Sequence, residues 1–452
     1  MVKGTTSVAL SKLLKRAEKV SLGDLASKNK KSPPSEVTEL VASVLAAGIR
    51  AGASAIHIEP GEEDVRIRHR IDGVLSEAQK LPRAVGPVLT AGLKILLHIP
   101  VEEDETLPQQ ATTTVTVQNK PYKIQLATMP VENGEKAVVK LTSLSGKAPK
   151  LEELGYWGPH LKAISAAMTK SRGLILLAGP HDSGQAESAY SILSHINTPE
   201  LSIATIEDPI SYHIPGATQT QVNGRIGLTF SAGLRILLKQ DTNVVMISNL
   251  RDSDSARLAV EGALSGRLIM AGIHAPSAAG ALSQLLAASI EPYLLAHTVQ
   301  SIVGQRVVRR LCDSCKEIFA PGETELIGIL KSLSIRTAAQ LQRIRELEHL
   351  AAEEKLVVGA SPTTNSSSIT SLYRPSKDGC ADCSHTGYKG AIGIYEVLES
   401  SDSIQRLIMG GATPQILQDQ AVQEGMVTMQ MDGLVKVLLG MTSVDEVASA
   451  TQ

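Results

Sequence analysis

The chain has 452 residues, 43% of them apolar and 20% charged, with a formal net charge of −2. That length predicts two to four domains with ordinary apolar cores, and the near-neutral balance excludes a broadly basic nucleic-acid binder. Aromatic residues are only 2%, too few for single-strand stacking platforms, so no nucleic-acid substrate is expected. No apolar run approaches the roughly 18 residues that span a bilayer, and the start lacks the apolar segment and cleavage site of a secretory signal. The expected location is the cytoplasm.

Residues 1–34 read as a basic leader and linker. Lys3, Lys12, Lys15, Arg16, Lys19, Lys28, Lys30 and Lys31 stand against Glu18 and Asp24, and Leu10, Leu13, Leu14 and Ala17 fall at helical spacing. This is either a basic amphipathic helix for a partner or an anionic membrane surface, or a frayed, solvated leader; the usual poor order of termini favours the second. Lys31 to Pro34 is a stiff linker.

Residues 35–146 read as an α/β domain. Helices are expected over Val37–Ala51 and Ala84–Leu97, with strands at Ala55–Glu59, Val65–Ile71, Thr112–Gln118, Lys123–Thr128 and Lys136–Thr142. Lys147 to Lys150, with Pro149, marks a hinge. From 151 to 311 strands alternate with helical segments: Leu174–Ala178, Ser202–Ile206, Val244–Ile247 and Leu268–Ile273. That order predicts a parallel sheet with helices on both faces. Residues 312–390 hold two cysteine pairs and, between them, helical periodicity over Glu325–Lys355 and a Ser/Thr-rich loop, Ser361–Ser371, expected to be mobile. Residues 391–452 form a C-terminal region that ends in short helices over Ser403–Ser449.

The most informative stretch is Gly179-Pro-His-Asp-Ser-Gly-Gln-Ala-Glu-Ser188. It follows the apolar run Gly173–Ala178 and precedes a helical segment. Gly179 and Gly184 are spaced like the glycines of G-x-x-x-x-G-K-[ST], whose backbone N–H groups and helix N-terminus cradle phosphates. The chemical positions differ. Gln185 stands where the motif has a lysine, and Ala186 where it has a magnesium-binding hydroxyl. The cysteines Cys312, Cys315, Cys380 and Cys383 form two C-x-x-C pairs, the bite of a tetrahedral zinc site, favoured over redox pairs or an emptied site because no thioredoxin-like βαβ context lies nearby, although the gap between the pairs is longer than in a compact zinc ribbon.

Ordered blocks along the chain carry a resemblance. They are His57–Pro60, Arg66–Val74, Thr205–Ile210, Thr218–Asn223, Lys239–Asp241 with Val244–Met246, Leu250–Asp252, His274, Gln305-Arg306, Leu311–Cys315, and Cys380–Cys383 with Thr386–Gly390. Over roughly residues 37–445 the chain resembles the secretion ATPase family, the motors of type II secretion and type IV pilus assembly. The resemblance implies an N-terminal α/β domain joined flexibly to a RecA-like motor domain, a structural zinc at the four cysteines, and a ring of six subunits. Further, it places Arg66, Arg68 and Arg70 near nucleotide. Three arginines at spacing two share one strand face, a fork array suited to phosphate oxygens or simply a solvated outer face.

The departures from the family pattern converge on one reaction. Asp182 replaces a glycine and brings negative charge beside the phosphate position. Gln185 offers a neutral hydrogen bond in place of a charged one. Ala186 cannot ligate magnesium. The Gly-Glu of the Walker B block is Ser248-Asn249, and an amide is no carboxylate base. Arg267 takes a histidine position, Lys136 an arginine position, and an arginine expected near Gln125 is missing. Glu207, Asp208 and His274 are kept and read as vestigial catalytic residues that now serve packing and hydrogen bonding.

The expectation is therefore a pseudo-ATPase subunit or scaffold of a pilus or secretion machine, with weak or no binding of ATP and magnesium. It would join a homo- or hetero-hexamer, the latter with an active paralogue, and sit at the inner membrane through partners such as the platform protein. One alternative is a slow working ATPase in which Glu207 and the arginine strand compensate. Another is a module that holds nucleotide without hydrolysing it.

Overall fold

The computed structural model describes residues 35–101, 107–117, 119–143, 148–354, 356 and 369–451. The basic leader, the first residue of the expected hinge and most of the Ser/Thr-rich loop lie outside the described residues. The chain divides into two compact units, Met1–Gly146 and Lys147–Gln452.

In the first unit, α1 (Ser35–Arg50) buries Val37, Leu40, Val41, Val44 and Leu45, the i, i+3, i+4, i+7 stripe of a helix laid on a sheet. The strands β1 (Ala55–Pro60), β2 (Asp64–Ile71) and β3 (Val74–Pro82) precede α2 (Val85–Leu96). They are followed by β4 (Gln109–Val117), β5 (Lys120–Val131) and β6 (Gly134–Ser143). The six strands form one antiparallel sheet in the order β3-β2-β1-β6-β5-β4. Ile56, Ile58, Val65, Ile67, Ile124, Leu126, Ala137 and Val139 enter one core with α1 and α2, so the alternate residues of the same strands face away from it. Strand β3 was not among the expected elements. Leu81 alone of its nine residues is fully buried, so it carries no alternation to read.

The second unit opens with α3 (Leu151–Leu154), α4 (Gly158–Met168), β7 (Gly173–Ala178), α5 (Gln185–Ile196), β8 (Ile203–Glu207) and β9 (Thr218–Gln221). Next come α6 (Phe230–Leu237), β10 (Val244–Ile247), α7 (Ser253–Leu264), β11 (Leu268–Ile273), α8 (Ala278–Ala287), α9 (Pro292–Thr298) and β12 (Val299–Leu311). Beyond them lie β13 (Glu317–Phe319), α10 (Glu323–Ser332), α11 (Ala338–Glu353), β14 (Leu372–Arg374) and β15 (Tyr388–Glu399). The chain closes with α12 (Asp402–Met409), α13 (Pro414–Gln423), α14 (Met429–Leu438) and α15 (Val444–Thr451).

Its main sheet has the order β15-β12-β7-β11-β10-β8-β9. Leu174 and Leu176 of β7 enter one core and Ile175 and Leu177 another. Burial on both faces explains why this strand reads as an unbroken apolar run. The sheet is parallel except at its edge, where β15 runs antiparallel to β12. Residues 391–399, assigned from sequence to the C-terminal region, are the outer part of that edge strand. The single helical periodicity expected over Glu325–Lys355 resolves into α10 and α11, broken near Ser334, which takes φ 58°. No helix among the described residues is long and apolar enough to cross a membrane.

Candidate functional site

The phosphate-type loop sits where strand-loop-helix order places it, between β7 and α5, with Gly184 at the helix N-cap at φ 85°. A Cβ added to Gly179 would lie 2.2 Å from Ser183 Oγ, so close packing within the turn requires glycine there. The loop is braced from the neighbouring strand: Gln305 Nε2 donates to Ser183 O at 2.8 Å, and Tyr156 OH donates to Gln305 Oε1 at 3.4 Å. Asp182, in the glycine position, adopts φ 61°, a left-handed conformation that costs a non-glycine residue about 1 kcal/mol.

Gln185 does not offer its amide outward. Its Nε2 donates to Gly179 O at 3.0 Å and Ile273 O at 2.8 Å, pinning the loop to the end of β11. The expected neutral hydrogen bond to a phosphate is thus already committed to backbone on both sides. Ala186 packs against the apolar core and has no ligand atom beyond its backbone. Burial pushes the carboxyl of Glu187 up, and the charge of Asp182 adds to this. Two acidic groups therefore attend the mouth of a loop built to hold anions.

Glu207 ends β8 and is buried. Its carboxylate accepts from Tyr190 OH, from Thr205 Oγ1 at 2.5 Å and from Gln219 Nε2 at 3.2 Å. Tyr190 OH accepts in turn from Ser211 N at 2.9 Å. Burial and the Glu207 carboxylate raise the Tyr190 phenol above its ordinary range, keeping it a donor. Tyr190, Thr205 and Gln219 were not assigned roles from sequence; Thr205 and Gln219 lie inside family-like blocks without a chemical reason attached. A cavity of about 30 Å³ bounded by Gln185, Ala186, Tyr190, Glu207, Ser248 and Gly272 lies beside this cluster, room for a water or two.

The other retained positions are spread around the loop. Asp208 pairs with Arg251 at 3.1 Å on the surface, and Ser248 Oγ accepts from Asp208 N at 3.2 Å. The Asn249 side chain has no hydrogen-bond partner among the described residues. His274 and His181 bring their ring centroids to 5.3 Å. Arg267 turns to Leu238 O and Ser265 Oγ, both at 2.8 Å. Position 185 carries no cation, position 186 no hydroxyl and position 249 no carboxylate, while the carboxylates of Glu207 and Asp208 remain and the backbone layout fits an anion.

Arg66, Arg68 and Arg70 lie in the first unit, on the face of β2 opposite its core residues Val65 and Ile67. Arg68 makes a bidentate contact with Glu59, at 2.9 and 2.8 Å, and Lys136 Nζ reaches the same carboxylate at 2.9 Å. Burial works against the charge of Glu59, but Arg68 and Lys136 win and hold its carboxyl at about 2. Arg70 donates to Gly73 O at 2.7 Å. Arg66 is exposed and makes no ion pair among the described residues. The three do share a face, yet they are not three equivalent forks: Arg68 is already neutralised.

Antiparallel pairing of β12 with β15, ending at Leu311 opposite Tyr388, brings the two cysteine pairs together. The four Sγ atoms lie within 4.8 Å of one another. Cys312 to Cys380 is 3.7 Å, Cys315 to Cys383 3.8 Å and Cys380 to Cys383 3.7 Å. A tetrahedron with Zn–S near 2.3 Å has edges of about 3.8 Å, so the cluster fits zinc. Burial opposes charge on Cys383, but N–H groups of Cys380 and Gly387, each 3.2 Å from its Sγ, hold the thiol down at about 6. Ser314 Oγ donates to Asp382 Oδ2 at 2.8 Å and ties one knuckle to the other.

Comparison with known proteins accords with this architecture. The type II/IV secretion system protein family model matches residues 30–449. The type IV pilus assembly ATPase PilB of Thermus thermophilus is 33% identical over 99% of this chain, which spans about half of that protein, 48%. The type II secretion system protein E of Pseudomonas aeruginosa is 32% identical over 92% of this chain and 76% of its own length. Among solved structures, the Legionella pneumophila ATPase DotB matches with TM-score 0.58 and 15% identity over 91% of this chain and 93% of that one. The pilus retraction motor PilT with bound ADP matches with TM-score 0.57 and 19% identity, over 90% and 96%. These two likenesses concern the fold. The chain belongs to the type II/IV secretion system protein family.

Proposed function

We propose that this chain is a non-hydrolysing member of the family, a subunit or scaffold of a type IV pilus or type II secretion machine. The observation that carries this reading is Gln185, whose amide bridges Gly179 O and Ile273 O where a phosphate-binding lysine would reach outward. Ala186 and Asn249 remove the metal ligand and the carboxylate from the same reaction. The relatives carry the names pilus assembly ATPase and secretion ATPase. From that kinship we take a ring of six, alone or with an active paralogue, located in the cytoplasm beside an inner-membrane platform protein. Zinc at the four cysteines is the structural cofactor of this proposal.

A second reading, a slow working ATPase that powers pilus assembly or secretion, is favoured by the names of those relatives and by Glu207, a carboxylate kept at the end of β8. Steady-state phosphate release with ATP and magnesium separates the two. We expect no turnover above a no-enzyme blank, from the chain alone or at any ring size. Turnover that disappears in Glu207→Gln would establish the second reading instead.

A further inference from the structure

The phosphate-type loop carries a carboxyl group at its own mouth. Glu187 is the third residue of α5, whose N-cap is Gly184, and a glutamate at that position is placed to reach back over the first turn. Here it does so. A Cβ added to Gly184 would lie 4.0 Å from Glu187 Oε2, and the carboxyl accepts from its own backbone N–H. Among the described residues no other donor reaches it.

That N–H matters to the loop. The first donors of a helix have no carbonyl one turn back, which is why such a turn takes up phosphate oxygens. In α5 the ladder opens with Ser188 N donating to Gly184 O at 3.0 Å, so the N–H groups of residues 185 to 187 precede it. The Glu187 carboxyl takes one of them against resistance: burial pushes the carboxyl up, the N–H draws it down, and the charge of Asp182 pushes it up again. Gln185, with its amide on Gly179 O and Ile273 O, ties the same loop from the other side.

We propose that Glu187 is a tethered occupant of the anion cradle, a carboxyl that holds the helix N–H a phosphate oxygen would use, and that it sets the selectivity of this site against phosphoryl ligands. The proposal rests on the reading of the chain as non-hydrolysing and deepens it. On that reading position 185 carries no cation to draw phosphate in; Glu187 adds a resident competitor. A tethered group competes at an effective concentration that a free anion does not reach, and a second anion brought beside it is repelled.

The test measures binding of imidodiphosphate, a diphosphate analogue whose bridging nitrogen resists cleavage, by calorimetric titration into the full chain without magnesium. Binding is then read whether or not the chain turns over ATP, and phosphate release stays the separate check on hydrolysis. Glu187→Ala empties the seat and should tighten binding about tenfold or more, whereas Asp182→Asn removes one charge from the same loop, leaves the seat filled, and should gain less than about threefold. Glu187→Thr, which also withdraws the carboxyl, decides the matter if the alanine variant does not fold. Equal affinity in wild type and the Glu187 variants, or no binding by any of them up to about 20 mM, overturns the proposal. A gain in Asp182→Asn as large as that in Glu187→Ala also overturns it, since loop charge alone would then account for the effect.

Discussion

The phosphate-type loop and the cysteine cluster belong to the same unit and lean on the same strand. Gln305 in β12 braces the loop, and Leu311 at the end of β12 leads directly into Cys312. They differ in what has been kept. In the loop the backbone course of the motif is present, held by glycine packing and by hydrogen bonds from Gln305 and Gln185, while positions 185, 186 and 249 carry Gln, Ala and Asn. In the cluster all four thiol side chains are present and gathered within 4.8 Å of one another. The course of a backbone cradle is set by tertiary supports, whereas a metal site has no geometry apart from its ligands.

The largest expected effect sharpens that contrast. A strong chelator, or Cys383→Ser, should melt the region from β13 to β15, since apparent zinc-binding energies for such sites are about 10–16 kcal/mol. Metal analysis should find one zinc per chain, and the loss of β-structure on chelation should track its release. Zinc-free protein with an unchanged melting curve would break the comparison from this side.

Next in size is the repair of the loop. Asp182→Gly, Gln185→Lys, Ala186→Thr and Asn249→Glu together should tighten binding of a fluorescent ATP analogue by about 100-fold, equivalent to about 2.7 kcal/mol. The gain is expected because Gly179, Gly184 and the N-terminus of α5 already have the required course. Unchanged affinity would mean that the backbone cradle is lost as well, and the two regions would no longer differ in kind.

A smaller effect probes the brace itself. Gln185→Ala leaves Gly179 O and Ile273 O without their side-chain donor, and one such hydrogen bond is worth about 1 kcal/mol. Amide exchange at Ser183 to Ala186 should accelerate by about tenfold, with the cysteine region unaffected. A further change lies in the first unit. The Glu59 carboxyl is held at about 2, below its ordinary 4.5, so its contribution is present above about pH 4.5 and is lost as pH falls toward 2. Thermal melts of wild type and Glu59→Gln should therefore differ most near neutral pH and converge on acidification.

Much of this was legible in the residues themselves. The strand-loop-helix order, the changed positions 182, 185, 186 and 249, and the two C-x-x-C pairs are one-dimensional facts, and so are the apolar strands β7, β8, β10 and β11 of the central sheet. What could not be read has two causes. Strand β3 hides because an edge strand with one buried residue has no period. Strand β15 hides because its partner, β12, is separated from it by the whole cysteine excursion.

The sequence by itself determined which chemical groups are available: no lysine or hydroxyl in the loop, four thiols, and three arginines on one strand face. The tertiary structure alone decided how those groups are spent. Gln185 turns inward to a carbonyl 88 positions away, Tyr190 and Gln219 capture Glu207, and Glu59 from the adjacent strand occupies Arg68. Helix and strand periods report only which face a residue takes, over a few neighbours. The partner of a polar side chain is set by whichever group the folded chain brings within 3 Å of it, and that is information only the packed structure holds.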